Sequence, residues 1–192
     1  MNVAVFGGSF NPPHVAHVLA CALVLSTEPV DRLLVVPTYK HPFAKSLASF
    51  DDRVAMCELA MGWMAGVEVS RVEEQLGGES RTLRTLEHLA SAHPDWKLRI
   101  VIGADILAEA PRWFGFDAIA RLAPPIVLGR AGAPAASAVA PAPGTGAVLL
   151  PEVSSTQVRA AIARGAWDDI ERLVPRKVLA YARSKGLYGA PS

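Results

Sequence analysis

The sequence has little cysteine. Cys21 and Cys57 are the only two among 192 residues. Such scarcity excludes a disulfide-stapled secreted scaffold, and neither residue has a metal-ligand spacing, so no protein-held metal site is predicted. Both fall on apolar helical faces and read as reduced, buried thiols of a cytoplasmic protein. A dominant charge is also lacking: 19 basic residues face 18 acidic ones, for a net charge of +1. No basic field covers the molecule, so nothing in the charge points to nucleic acid as a partner. Long apolar runs are missing too. The longest, residues 18–25, is far short of the roughly 20 residues that span a bilayer, and the start lacks the basic n-region of a signal peptide. What is plentiful is apolar residues, 51% of the chain. That excludes a disordered chain and leaves enough material for one substantial core, hence a single domain over residues 1–192.

The rest of the chain is organised around its first 25 residues. Val3, Ala4, Val5 and Phe6 form a short apolar block that stops at Gly7 and Gly8. Such a block reads as a buried strand of a parallel sheet, and the two glycines predict a sharp backbone turn that a ligand can approach closely. Asn11, Pro12 and Pro13 break regular structure again. Helical spacing then starts at about His14 and runs through Val15, Leu19, Ala22 and Leu23. Strand, glycine turn and helix in this order place backbone N–H groups and the positive end of a helix dipole at the strand's carboxyl end, a place that binds phosphates. His14 and His17, three residues apart, project from about the same side of the first helical turn, where two imidazoles can donate to phosphate oxygens. The alternative is that one histidine caps the helix and the other packs on the sheet.

Further along, residues 32–36 form a second apolar block ended by Pro37, so the start is one βαβ unit. Lys40, His41 and Lys45 cluster in the loop that follows, at the sheet edge where open α/β folds bind ligands; a solvated surface loop is the alternative. Asp51 and Asp52 open a helix whose stripe of Val54, Cys57, Met61 and Met64 is core, with Trp63 beside it. Residues 67–69 read as a short strand, and Gly77 and Gly78 lead to a helix beginning near Ser80. Residues 98–105 are a strand closing in Gly103-Ala104-Asp105, which sets a carboxylate over the sheet edge to accept hydrogen bonds from a ribose or to cap the next helix. Trp113 follows in a loop, as a stacking platform or a core plug. Residues 125–129 and 148–150 read as two more strands, separated by an uncharged Ala/Pro/Gly-rich stretch, residues 131–147, expected to be a flexible loop without chemistry.

Ser154-Ser155-Thr156-Gln157-Val158-Arg159 is a second phosphate signal. Ser or Thr at a helix start leaves anion-attracting N–H groups behind it, and an arginine one turn in can grip two phosphate oxygens. By itself it is also an ordinary helix start. The tail repeats apolar helical spacing and ends at Gly186-Leu187-Tyr188.

Taken together, residues 8–17 resemble the G-x-F-x-P-x-H-x-x-H signature of the Rossmann-like nucleotidyltransferase superfamily. Val153-Ser154-Ser155-Thr156-x-x-Arg159 is similar to its I-S-S-T-x-x-R signature. The whole chain resembles the bacterial nicotinate-nucleotide adenylyltransferases of NAD biosynthesis. Further likeness lies in Ser80-Arg81-Thr82-Leu83-Arg84-Thr85-Leu86, in Val101-Ile102-Gly103-Ala104-Asp105, in Trp113, and in the closing segment from Leu173 to Tyr188. The departures are Ala16, where the family has Gly and where a methyl would narrow the approach of helix and phosphate, and Arg81, where it has Tyr. The resemblance implies an α/β, Rossmann-like, doubly wound and mainly parallel sheet flanked by helices, with a C-terminal helical part over residues 151–188. It implies transfer of AMP from ATP, carried with Mg²⁺, to nicotinate mononucleotide. His14, His17 and Arg159 would act on the phosphates. Gly7, Gly8, Ser9, Phe10, Gly103, Asp105, Ser155 and Thr156 would bind ATP, and Lys40, Lys45, Thr82 and Trp113 the second substrate, with Trp113 stacked on its pyridine ring. An adenylyltransferase of nicotinamide mononucleotide or phosphopantetheine is the nearest alternative, and a non-catalytic nucleotide-binding protein another. A Rossmann dehydrogenase would want G-x-G-x-x-G after the first strand, which Gly7-Gly8-Ser9-Phe10-Asn11-Pro12 does not supply. A homo-oligomer is compatible with the sequence, which carries no signal for or against one.

Overall fold

A computed structural model describes residues 1–40, 47–104, 115–129 and 150–189. Five strands form one sheet: β1 (Asn2–Gly8), β2 (Arg32–Pro37), β3 (Val67–Val69), β4 (Lys97–Gly103) and β5 (Pro125–Leu128). Their spatial order is β3-β2-β1-β4-β5, and every pairing is parallel. Register sets Val5 beside Leu34 on one side and beside Ile100 on the other. The chain leaves β1 for β2 on one side and later returns to pair β4 on the other. The carboxyl end of β1 is therefore the point where strand order reverses, and such sheets open a crevice there.

The strands read as unbroken apolar blocks because both faces are covered. Alternate residues feed two cores. Ala4, Leu33, Val35, Val101 and Ile126 face one of them. There they meet α1 (Val15–Thr27), α2 (Phe50–Met61), α6 (Ser155–Ala163) and α7 (Arg176–Ser184), through residues such as Ala20, Met56, Ile162 and Val178. Val3, Val5, Leu34, Ile100 and Ile102 face the other. There α3 (Val72–Leu76), α4 (Thr82–Ala92) and α5 (Phe116–Leu122) contribute Val72, Leu86 and Ile119. The C-terminal helices thus share the core beneath α1 and α2, which is what brings the second phosphate signal to the first.

Several expectations need correction. Gly7 and Gly8 do not make the turn: β1 runs through both. The chain turns later, over Phe10, which sits at a positive φ of 46°, and a cis Asn11–Pro12 peptide. The helix at residues 72–76 is too short for a periodic signal. It ends where Gly77 and Gly78 take φ values of 64° and 72°, and Arg84 donates to the carbonyls of Leu76 and Gly77 at 2.8 and 2.6 Å. Trp63 lies beyond the end of α2 and is 70% exposed rather than beside the core. Residues 131–147 lie outside the described residues, as do 148 and 149; Leu150 donates its N–H to the carbonyl of Gly129 at 3.0 Å.

Both cysteines are fully buried. Burial pushes the Cys21 thiol up to about 12 and raises that of Cys57 as well. Neither forms thiolate at neutral pH, so a thiol reagent is expected to label the native protein roughly a hundredfold more slowly than the urea-unfolded chain. Equal labelling rates would contradict this packing.

Candidate active site

At the carboxyl end of β1, a Cβ on Gly7 would meet nothing within 4 Å, so the space above this residue is open. Gly8 is needed for a different reason. A Cβ there would approach the ring of Phe10 to 3.1 Å. Phe10 itself is buried. Its ring meets that of His17 edge-on at 4.9 Å and that of Phe6 at 5.5 Å, so it backs the imidazole from below.

His14 is the N-cap residue of α1 and His17 its third residue. Their rings stack at 3.8 Å with an interplanar angle of 25°. The N–H of His14 donates to Nδ1 of His17 at 3.1 Å, and the N–H of His17 returns to the carbonyl of His14 at 2.9 Å. The arrangement is the alternative that the sequence offered: His14 caps the helix, and His17 packs on Phe6 of β1 and on Phe10. Because Nδ1 of His17 is an acceptor, the neutral ring carries its proton on Nε2 and turns a donor away from the helix. His14 is buried and His17 half-buried, so His17 is the more accessible of the two. Ala16 is buried in the core under α1.

The second segment reaches this site directly. Ser154 caps α6, accepting from the N–H of Gln157 at 3.2 Å. The Ser155 hydroxyl donates to the carbonyl of Pro12 at 2.8 Å. Arg159 Nη1 donates to the carbonyl of Asn11 at 2.8 Å, and its Nη2 to the Thr156 hydroxyl at 3.3 Å. Thr156 is exposed, and Arg159 is half-buried. Arg159 is thus attached three residues before His14, and the start of α6 is fastened to the same turn that leads into α1. The N–H of Val15 also donates to the carbonyl of Leu173 at 2.9 Å, a second tie from the C-terminal part.

Sequence reasoning missed four residues that build this site. The Asn11 side chain is buried and accepts at Oδ1 from the Ala48 N–H and from the Tyr188 hydroxyl, each at 3.0 Å. Tyr188 reaches it by adopting a positive φ of 63°, and burial raises its phenol's pKa. Arg53, 1% exposed, donates to the carbonyls of Ser9 at 3.0 Å and Ala48 at 3.1 Å, with that of Tyr39 at 3.5 Å. Burial pulls its guanidinium pKa down. Glu73 accepts from the Tyr39 N–H at 3.0 Å and the Thr85 hydroxyl at 3.1 Å, so α3 and α4 hold the loop after β2. The closing Gly-Leu-Tyr was a visible signal for Tyr188. Arg53 gave none.

On the opposite side of the crevice, Lys40 is exposed, with Nζ 5.7 Å from the Tyr39 ring centroid. Thr82 is the first residue of α4, and Arg81, just before it, pairs with Glu79 at 3.1 Å in solvent. Gly103 ends β4, half-buried. Asp105, Trp113, Lys45 and His41 lie outside the described residues. Among the described residues no three His, Cys, Asp or Glu side chains stand together to hold a metal, and no helix is long and apolar enough to cross a membrane.

A family model described as cytidylyltransferase-like matches residues 5–161. A protein of Anaeromyxobacter sp. (strain K) named "probable nicotinate-nucleotide adenylyltransferase" is 48% identical over 97% of this chain and 96% of its own length. The chain belongs to the nicotinate-nucleotide adenylyltransferase family. A family member from Myxococcus xanthus, of the same name, is 43% identical over 98% of this chain and 95% of its own length. The fold agrees with a solved structure of a Plasmodium falciparum nicotinic acid mononucleotide adenylyltransferase complexed with NaAD. The TM-score is 0.84 over 99% of this chain and 98% of that one, at 18% identity. The parallel, doubly wound sheet expected of an adenylyltransferase in this family is thus the observed one.

Proposed function

We propose that this chain transfers AMP from ATP to nicotinate mononucleotide, giving deamido-NAD and pyrophosphate, and that residues 1–192 act as one catalytic unit. A phosphate oxygen of the mononucleotide attacks the α-phosphorus of ATP, one P–O bond forms, and the bond to the leaving pyrophosphate breaks. The attacking oxygen is already anionic, so no general base or protein nucleophile is required. The work left to the protein is alignment of two anions and stabilisation of charge on the leaving group.

The observation that supports this reading best is the bond from Arg159 to the carbonyl of Asn11, which joins the two phosphate signals at one strand end. In the proposed mechanism the Nε2–H of His17 donates to a phosphate oxygen. Arg159 exchanges its carbonyl partner for two phosphate oxygens, as its planar fork suits. His14 holds the tautomer of His17 through its own N–H. Gly7 leaves room for the nucleotide over β1. Ser155 and Thr156 bring the N-terminal end of the α6 dipole toward the triphosphate. Lys40 and Thr82 serve the mononucleotide on the other side. Asp105, Trp113 and Lys45 keep the roles that the family resemblance gives them. Mg²⁺ would be carried by ATP and would neutralise charge on its phosphates, since the described site residues His14, His17 and Arg159 are not the oxygen donors that Mg²⁺ takes from a protein.

Pyrophosphate release, measured with ATP and each of nicotinate mononucleotide, nicotinamide mononucleotide and phosphopantetheine, tests the assignment. Turnover is expected to be greatest with nicotinate mononucleotide, by at least about tenfold in kcat/KM over the amide. Release with none of the three would remove the enzyme reading, and preference for another would reassign the acceptor.

A further inference from the structure

Arg53 is a buried cation whose hydrogen-bond partners are neutral carbonyls. Its guanidinium is held by Ser9 and Ala48, with Tyr39 at longer range, each from a different segment: the turn after β1, the start of α2 and the loop after β2. No carboxylate lies within ion-pair distance of it among the described residues. Nearby Arg71 makes a contrast. It is half-buried, and it is paired with Asp51 and with Glu74 at 2.7 Å. The acidic group that faces Arg53 at longer range is Glu73, and its carboxylate is already engaged by Tyr39 and Thr85. Removing an arginine from water without a counter-ion costs several kcal/mol. Backbone bracing alone does not require a charge.

The bond to Ser9 shows where the charge can act. A donor on the Ser9 carbonyl polarises the Ser9–Phe10 peptide and strengthens the N–H on its other side as a donor. That peptide lies in the turn between the open space over Gly7 and the buried cap residue His14. We propose that Arg53 is a positioning residue for the triphosphate of ATP, a buried positive charge that acts through the Ser9 turn and whose missing counter-charge the substrate supplies. The proposal rests on the adenylyl transfer above for its substrate. It commits this arginine to a polyphosphate rather than to stability alone.

Arg53→Met and Arg53→Lys separate the two roles. Arg53→Met is expected to raise the KM for ATP about tenfold, and Arg53→Lys, which keeps the charge, to hold it within about threefold. Both lose thermal stability, because neither reproduces the fork. Stability losses with the KM for ATP unchanged in Arg53→Met would overturn the proposal. Should Arg53→Met fail to fold, the wild-type protein still decides. Inorganic tripolyphosphate is expected to shift the Nε–H resonance of Arg53, assigned by its disappearance in Arg53→Lys, and to slow its hydrogen exchange. A resonance unmoved at saturating tripolyphosphate would overturn the proposal as well. Failure of the pyrophosphate assay would remove adenylyl transfer without touching the tripolyphosphate result, so the two failures are distinguishable.

Discussion

Replacing His17 with alanine is expected to lower kcat by about a thousandfold, roughly 4 kcal/mol of transition-state stabilisation. The imidazole is anchored on three sides. Phe10 packs against its edge, His14 stacks on its face, and the His14 N–H occupies Nδ1. In the proposed mechanism its Nε2–H is the donor that meets the charge developing on the phosphates. A donor that is already aimed loses little on reorganisation, which is why its removal shows in turnover. The cost to folding is much smaller. Truncation removes the bond to the N-cap N–H and part of a ring contact, about 1 kcal/mol by the usual worth of a cap, and alanine is the best helix former. Pyrophosphate release and urea unfolding, measured on the same preparation, separate the two effects. Equal turnover in variant and parent would end the assignment of His17.

Replacing Arg159 with alanine is expected to lower kcat/KM for ATP by about a thousandfold as well, with a higher KM contributing. The guanidinium bridges the turn and α6 through Asn11 and Thr156, and in the proposed mechanism it meets the triphosphate bound over Gly7. Arg159→Lys is expected to recover no more than about a tenth of the activity, because an ammonium lacks the planar fork. The folded state loses one charge-assisted bond to a carbonyl, worth about 1–3 kcal/mol. A lysine variant equal to the parent would show that Arg159 supplies a point charge rather than a two-oxygen grip. An alanine variant of parental kcat/KM would remove it from the site.

What the sequence made legible was whatever repeats locally. The strands at residues 3–6 and 33–36 are apolar blocks because both faces of a parallel sheet are buried, and the block pattern alone carries that. The histidine pair was legible from its spacing at a helix start, although His14 is the extended N-cap rather than a helical residue, so the rings meet as cap and third residue. The contribution of Arg159 needed the family signature, since nothing in Ser-Ser-Thr-x-x-Arg says that its helix packs beside α1. The misses share one cause. Arg53, Asn11 and Glu73 act through bonds to backbone groups distant along the chain or, for Asn11, also to Tyr188. Such bonds leave no spacing or composition behind. The turn was misplaced for a related reason: glycines suggest where a chain can bend, but here the bend lies at Phe10, whose ring is held in place by Gly8 on one side and His17 on the other. The Ala16 methyl was judged against the phosphate, and the structure buries it in the core under α1.

The central claim is that the turn before α1 and the start of α6 grip one triphosphate between them. A crystal structure with a non-hydrolysable ATP analogue tests it most directly. The expected result is a single polyphosphate with oxygens within hydrogen-bond distance of both His17 Nε2 and the Arg159 guanidinium, the arginine having left the Asn11 carbonyl. Phosphates bound away from the end of β1, with Arg159 still on Asn11, would contradict it.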